Sequence, residues 1–283
     1  MKLKHTNADL FVPDGLAPDL ALPRTTHLGI GAHQDDLEII AYEGIEACHG
    51  RDDRWFGGVV LTDGSGSART GVYADYTGEE MRHVRMHEQR KAATIGDYSF
   101  MAQLGYPSKA VRSPDASDPV DDLEAILRAA RPATVYVHNP ADKHDTHIGT
   151  LARCLDALRR LPESERPERL LGVEVWRDLD WLLDDEKVVL QTDRRPNLAA
   201  ALMGVFDSQI SGGKRYDLAV PGRRLANATF FQSHSVDESE SAAFAVDLSP
   251  LLRDDGPTVA ALIEGHMDRF REDVLKRIAK MIG

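Results

Sequence analysis

His27-Leu28-Gly29-Ile30-Gly31-Ala32-His33, followed at once by Gln34-Asp35-Asp36-Leu37-Glu38, is the stretch that decides the fold. The first seven residues read as a short apolar strand buried on both faces, and Leu37–His49 as the helix after it. A strand that passes through a short polar turn into a helix is the first half of a βαβ unit.

The same alternation continues outward from this point. Phe56–Asp63 reads as a second strand, Gly64–Gly71 as a Gly/Ser-rich loop, and about Thr77 to Ile95 as a long helix capped by Gly96. Ser99–Leu104 is a weaker strand, Val120–Ala130 a helix, Thr134–His138 a strong strand, and His147–Leu161 a helix that Pro162 helps to end. Leu170–Trp176 is the next strand. The pattern predicts an α/β protein with a mostly parallel sheet and helices on both faces. Beyond it, a strand at Lys187–Gln191 and helices at Asn197–Phe206 and near Pro257–Ile282 are less regular and suit a layer covering the substrate. No repeat, low-complexity tract or linker interrupts the chain. The expectation is one domain over residues 1–283, with its core at about 25–176 and a C-terminal part at about 177–283.

Composition narrows the function. With 283 residues, 42% of them hydrophobic, the chain can bury one large core. A formal charge of −12, from 46 acids against 34 bases, argues against a nucleic-acid backbone or an anionic membrane surface as partner and favours a neutral or cationic ligand. Cys48 and Cys154 both fall in predicted helices and read as core thiols, not as a disulfide framework or metal cluster. The start, MKLKHTNADLFVPDG, has no apolar run of the secretory kind, and no stretch approaches the roughly 18 apolar residues of a membrane span. A soluble, cytoplasmic protein acting on a small molecule is expected, with homo-oligomerisation left open.

Open α/β sheets bind ligands at the carboxyl ends of their strands. One imidazole and two carboxylates, His33, Asp35 and Asp36, leave that end of the first strand. A second cluster, His138-Asn139-Pro140-Ala141-Asp142-Lys143-His144-Asp145-Thr146-His147, follows the strand Thr134–His138. If those strands are parallel, the clusters share one edge and can share one metal. Catalytic zinc takes three His or carboxylate ligands and keeps a position open for water, and His33, Asp36 and His147 can supply the three. The spacing His33-x-x-Asp36 lets a strand-to-helix turn aim both side chains at one ion and leaves Asp35 free to act as a base. The plain alternative is that Asp35 or Asp36 only caps the following helix.

With these residues in place, the chain resembles the PIG-L/LmbE superfamily of zinc-dependent N-deacetylases. Its Ala-His-Pro-Asp-Asp hallmark is matched by Ala32-His33-Gln34-Asp35-Asp36, with Glu38 shortly after and Gln34 in place of proline. Asp142-Lys143-His144-Asp145-Thr146-His147 is similar to the Asp-x-His-Pro-Asp-His segment. Arg85-Met86-His87-Glu88 with Ala92-Ala93-Thr94-Ile95-Gly96 resembles Arg-x-x-Glu…Ala-Ala…Leu-Gly, and Phe206-Asp207-Ser208-Gln209 resembles His-x-Ser-Gln. The likeness spans about residues 27–210. It implies a Rossmann-like three-layer sandwich and removal of an N-acetyl group from an amino sugar such as an N-acetylglucosamine conjugate. It further implies Zn2+ on His33, Asp36 and His147, although iron, cobalt or nickel also suit a His2Asp site. Asp35 becomes the base toward metal-activated water, a protonated His144 helps stabilise the oxyanion, and Asp35 or His144 returns a proton to the amine. Arg85 becomes a substrate contact.

Other residues carry weaker signals. Gln209 is a candidate substrate contact, and Asp63 either binds a substrate hydroxyl or starts the Gly-rich turn. His138 and Asp142 are candidates to orient ligand imidazoles, with His138 equally readable as a satisfied strand-end histidine. His83 and His87, without the glutamate of a zincin, read as a solvated or packed pair. The Gly64–Gly71 loop lacks the lysine of a P-loop and reads as a rim. Trp176 and Trp181 suit either a sugar face or the core, while Gln232 and His234 are undecided. Two rivals remain: a phosphoesterase, which usually needs more ligands for two metals, and a non-catalytic sugar-binding protein, against which Asp35 argues.

Overall fold

A computed structural model describes residues 2–282. Its eight strands are β1 (Asp9–Phe11), β2 (His27–Gly31), β3 (Phe56–Thr62), β4 (Phe100–Tyr106), β5 (Thr134–His138), β6 (Arg169–Val173), β7 (Lys187–Gln191) and β8 (Ala242–Asp247). They form one sheet in the order β1-β4-β3-β2-β5-β6-β8-β7. The five strands β4, β3, β2, β5 and β6 run parallel, and β1, β8 and β7 add antiparallel edges.

The parallel strands are covered on both sides, which is why they read as unbroken apolar runs. Alternate residues of each strand enter different cores, as the pleat requires. Leu28, Ile30, Val59, Leu61, Val135, Val137, Leu170 and Val246 face one side. There they meet α6 (Ser117–Ala130) and α7 (Asp145–Arg159) through Leu123, Ile126, Leu151 and Leu158. Val60, Met101, Tyr136, Leu171 and Ala245 face the other side. They pack on α2 (Asp36–Ile40), α3 (Tyr42–Cys48), α4 (Gly78–Ile95) and α8 (Pro196–Gly204). The result is the expected three-layer α/β sandwich. Short helices α1 (Pro18–Ala21), α5 (Ser108–Arg112) and α9 (Asp207–Ile210), with α10 (Tyr216–Phe230) and the terminal α11 (Val259–Ile282), complete the molecule.

Strand order places the site. From β2 the chain steps outward through β3 to β4, then returns to the other side of β2 to lay down β5 and β6. The crevice between the carboxyl ends of β2 and β5 is therefore the topological switch point.

Several elements differ from the sequence expectation. The helix foreseen over Leu37–His49 breaks at Ala41 (φ −116°, ψ 15°). Arg224, buried in α10, donates to the carbonyls of Glu38 and Ile39 at 2.9 and 3.1 Å, and so holds the break open. The C-terminal part completes the sheet, because β8 pairs with β6 and β7 with β8. Gly96 follows α4 as expected, but the left-handed residue is Asp97 (φ 53°). Cys48 and Cys154 are buried free thiols. No helix among the described residues is long and apolar enough to cross a membrane.

Helix α4, which supplies Arg85, Glu88 and Gln89 to the interior, begins with a reciprocal cap. Thr77 Oγ1 accepts from the Glu80 N–H at 3.2 Å, and the Glu80 carboxylate accepts from the Thr77 N–H at 2.7 Å. Thr77→Ala is expected to destabilise the fold by about 1 kcal/mol in urea unfolding, leaving the site's residues in place.

Candidate active site

The turn after β2 is held from three directions. Thr62, ending β3, donates to the Ala32 carbonyl through both its N–H (3.0 Å) and its hydroxyl (2.7 Å). Gln34 is buried and its amide donates to the Thr62 carbonyl and to Gln103 Oε1 of β4, both at 3.1 Å. Gln103 in turn donates to the Met86 carbonyl of α4 at 3.0 Å. A glutamine where the resembling family has proline thus fastens the turn by hydrogen bonds rather than by ring stiffness. Gly64 lets the following loop close over it: in its left-handed conformation (φ 72°), a Cβ would lie 2.6 Å from Gln34 Oε1. Asp35 itself is left-handed (φ 95°, ψ −26°), a conformation that costs a non-glycine residue on the order of 1–3 kcal/mol. The turn is thereby strained at one functional residue.

Asp36 is the hub of the polar cluster. Its Oδ2 accepts from the His33 N–H at 2.6 Å and lies 3.3 Å from both His33 Nδ1 and His138 Nε2. Its Oδ1 lies 3.5 Å from His147 Nε2. Burial opposes ionisation, but His147, His138 and His33 outweigh it and hold the Asp36 carboxyl well below the usual carboxylate range. Asp142 Oδ2 stands 3.5 Å from His147 Nδ1, and its carboxylate also accepts from the N–H groups of His144 (2.9 Å) and Trp176 (3.2 Å). These contacts tie the second cluster to the end of β6.

Two overlapping sets of side chains have donor atoms within 4.8 Å of one another: His33, His144 and His147, and Asp36, His138 and His147. The triad expected from sequence straddles both. Buried nitrogens of His147 (Nδ1 and Nε2) and of His144 (Nδ1) have no hydrogen-bond partner. Such unpaired lone pairs beside a carboxylate are what a divalent metal requires, so the residues fit one. His138 is different. Sequence reasoning gave it only a supporting role, yet it is fully buried, stacked on His147 with ring centroids 3.8 Å apart, and close enough to be a ligand. Its Nε2, however, accepts the Ala32 N–H at 3.0 Å, which occupies that lone pair.

Beside this cluster, Asp35 Oδ2 lies 3.4 Å from the Arg85 guanidinium, and the Asp35 N–H donates to Gln89 Oε1 at 3.1 Å. Arg85 also donates to the Gln34 carbonyl. Burial pushes the Asp35 carboxyl up to about 7, against Arg85, which pulls it down; Asp36 and Glu38 add to the rise. Glu38 is a structural partner: its Oε1 accepts from Gln89 (2.9 Å) and Tyr98 (2.7 Å), joining α2 to α4.

An open cleft of roughly 340 Å3 lies over these groups. His33, Asp35, Asp36, His144, His147 and Gln209 all line it, so the expected catalytic and ligand residues converge. Gln209 arrives by a contact that joins the two weaker motifs: Glu88 accepts from the Ser208 N–H at 2.7 Å and from its hydroxyl at 2.6 Å. Three residues have surroundings that the sequence did not show. Arg85 is 2% exposed and its guanidinium faces Asp35 and the Gln34 carbonyl, while it also belongs to the cleft lining. Asp63 accepts from the Ser65 N–H (3.0 Å) and hydroxyl (2.8 Å) and shapes the Gly/Ser loop outside the cleft lining. Burial, with His147 and His33, pushes the His144 imidazole down to about 4, favouring a neutral ring over the cation expected from the resemblance. Trp176 reaches the cleft wall, whereas Trp181 packs on the core. His83, His87, Gln232 and His234 are exposed and stand outside the lining, while Gly64, Gly66, Ser67 and Ala68 form its rim.

Residues 28–158 match the PIG-L family, described as GlcNAc-PI de-N-acetylase. The match spans slightly less than half of the chain. This match contains both histidine clusters and Arg85, but it ends before Trp176 and Gln209. Among solved structures, this chain is similar to the N,N'-diacetylchitobiose deacetylase of Pyrococcus horikoshii, with 15% identity, a TM-score of 0.64, and coverage of 87% of this chain and 91% of that one. It is similar to the 4-carboxy-2-hydroxymuconate hydratase of Pseudomonas putida KT2440 at 18% identity and a TM-score of 0.60, covering 79% and 96%. A teicoplanin deacetylase in a zinc-inhibited form matches at 14% identity and a TM-score of 0.54, covering 82% and 100%. These likenesses establish the fold. No curated protein matches the chain.

Within this site, Gln34→Ala would leave the Gln103 side chain and the Thr62 carbonyl short of a buried partner. A loss of about 1–3 kcal/mol in denaturant unfolding is expected, and a variant as stable as the parent would show that the turn is held otherwise.

Proposed function

We propose that this chain is a metal-dependent N-deacetylase that hydrolyses the acetamide of an amino sugar or sugar conjugate, releasing acetate. The observation that carries this reading is the separation of roles at one turn: Asp36 faces the histidines, while the adjacent Asp35 faces Arg85 and the cleft. A fold shared with a hydratase does not decide the reaction, so the site must.

His33, Asp36 and His147 would hold the ion, with Asp142 steadying His147 and His138 buttressing it by stacking. A divalent metal bound there, zinc first among candidates, supplies Lewis-acid polarisation of the amide carbonyl and lowers the pKa of water to about 7. Asp35 takes the proton from the attacking water as the new C–O bond forms. It returns a proton to the sugar nitrogen as the C–N bond breaks, since an unprotonated amine is too basic to leave. Arg85 and Gln89 keep Asp35 from rotating away. A neutral His144 at the rim offers an N–H to the developing oxyanion. A phosphoesterase reading gains less support, because only one carboxylate belongs to the ligand sets found among the described residues.

Acetate release from N-acetylated amino sugars should vanish with chelator and return with zinc. Release that persists in a metal-free protein would overturn the reading. Asparagine tolerates the left-handed backbone at position 35, so Asp35→Asn should retain metal and stability while turnover falls by about 10²–10⁴-fold. By elemental analysis, His147→Ala should lose the metal and His138→Asn should keep it. The reverse result would exchange their roles.

A further inference from the structure

The chain's charge of −12 favours a neutral or cationic ligand, but the cleft is locally different. Its only carboxylates are Asp35 and Asp36, both buried at the floor and engaged with Arg85 and the histidines. Its remaining formal charges are two cations, Arg112 and Lys214, and among the described residues neither lies within 4 Å of a carboxylate. On a surface where acids outnumber bases, most arginines here are paired, as Arg82, Arg90, Arg128, Arg160 and Arg166 are. Two unpaired cations in one cleft therefore stand out.

Both are placed by contacts that lead back to the metal-ligand cluster. Arg112 ends α5, and α5 packs tightly on α7 at Gly149, two residues after His147. A Cβ at Gly149 would lie 3.2 Å from Arg112 Cα and 3.0 Å from the Val111 carbonyl, so a side chain there would push the two helices apart by a few tenths of an ångström. The Arg112 Nε donates to the Ser108 carbonyl at 3.3 Å, which leaves the two terminal nitrogens for a ligand. Lys214 is held at the other chain segment of the cleft. Its N–H donates to the Gln209 carbonyl at 2.8 Å, and its Nζ sits 4.7 Å over the Trp176 ring. Trp176 is anchored through its own N–H to Asp142, the partner of His147, and its ring lies nearly parallel to that of His144. Each cation is thus tied to the segment that carries His144 and His147.

We propose that Arg112 and Lys214 form an oxyanion subsite and that the substrate is an N-acetylated amino sugar bearing a phosphate or carboxylate group. This rests on the deacetylase reading for what happens at the sugar nitrogen, but the anion is bound by charge and hydrogen bonds whether or not the amide is cleaved. Guanidinium and ammonium groups freed of protein partners bind phosphate or carboxylate through charge-assisted hydrogen bonds, and salt weakens them where they are exposed.

The test measures equilibrium binding and acetate release for four compounds: N-acetylglucosamine, its 1-phosphate, its 6-phosphate, and N-acetylmuramic acid. The metal-loaded protein and its Arg112→Gln/Lys214→Gln variant are compared, with thermal unfolding and metal content checking that the variant is intact. At least one anionic compound should bind about tenfold or more tightly than N-acetylglucosamine. That advantage should shrink as salt rises and fall to about unity in the double variant. Preference for the phosphates or for the muramic acid tells which oxyanion is meant. The proposal is overturned if no anionic compound binds better than the neutral sugar, or if a preference survives intact in the double variant. Preferential binding without acetate release would keep the subsite and remove the deacetylase reading. Equal binding and release from all four would do the opposite. Single variants, Arg112→Lys and Lys214→Arg, should keep part of the preference, which distinguishes lost charge from lost structure.

Discussion

The site depends on one carboxylate, that of Asp36. It accepts a backbone N–H across its own turn and draws in three imidazoles from two distant stretches of chain. Without it, these imidazoles would lack a polar partner or require water in a largely buried floor. The charge of Asp36 compensates them, and they in turn keep it ionised at a depth where an isolated carboxylate would protonate. A carboxylate held ionised among imidazoles is a site preorganised for a cation.

A second buried charge pair, Asp35 with Arg85, lies beside the first and has a different consequence. Side-chain exposures of 6% and 2% make the pair costly to desolvate, and such pairs are seldom a net source of stability. Its value here is orientation. Asp35 occupies a left-handed backbone conformation that points its carboxylate away from the Asp36 cluster, and Arg85 and Gln89 fix it there. Two adjacent aspartates thereby serve separate tasks. The strain is absorbed by the network beneath them, in which Gln34, Thr62, Gln103 and Met86 join the turn to β3, β4 and α4.

The parallel part of the fold was legible in the sequence because its strands are buried on both faces and its helices amphipathic. Thr134–His138 and Lys187–Gln191 were foreseen to the residue. What escaped was written weakly. β1 has three residues; β8, AAFAVD, is alanine-rich; and α10 carries Pro221 within it. The site followed the same division. His33, Asp35, Asp36 and His147 were legible because motif spacing and strand ends coincide. The duties of Arg85 and Asp63 were not, since spacing gives no sign of which polar group a side chain has already satisfied. Nor does it show that His138, at the buried last position of β5, lies near enough to compete for the ion.

The two weaker motifs gain meaning only in three dimensions. Arg85 and Glu88, three apart on α4, fall on one face and address different partners: Arg85 reaches Asp35, and Glu88 reaches Ser208. One helix face thus links the floor of the cleft to the C-terminal segment that brings Gln209, Lys214 and Tyr216 into its lining. That coupling explains how a floor belonging to the PIG-L match can be paired with a wall outside it. The floor carries the chemistry proposed for the metal and the base. The wall is tied to it by the Glu88–Ser208 contact, by Trp176 on Asp142 and by Arg224 on the carbonyls of Glu38 and Ile39. Recognition in this chain is therefore to be sought in the charges and rings of that wall, not in the chain's net charge, which is averaged over a surface the ligand never meets.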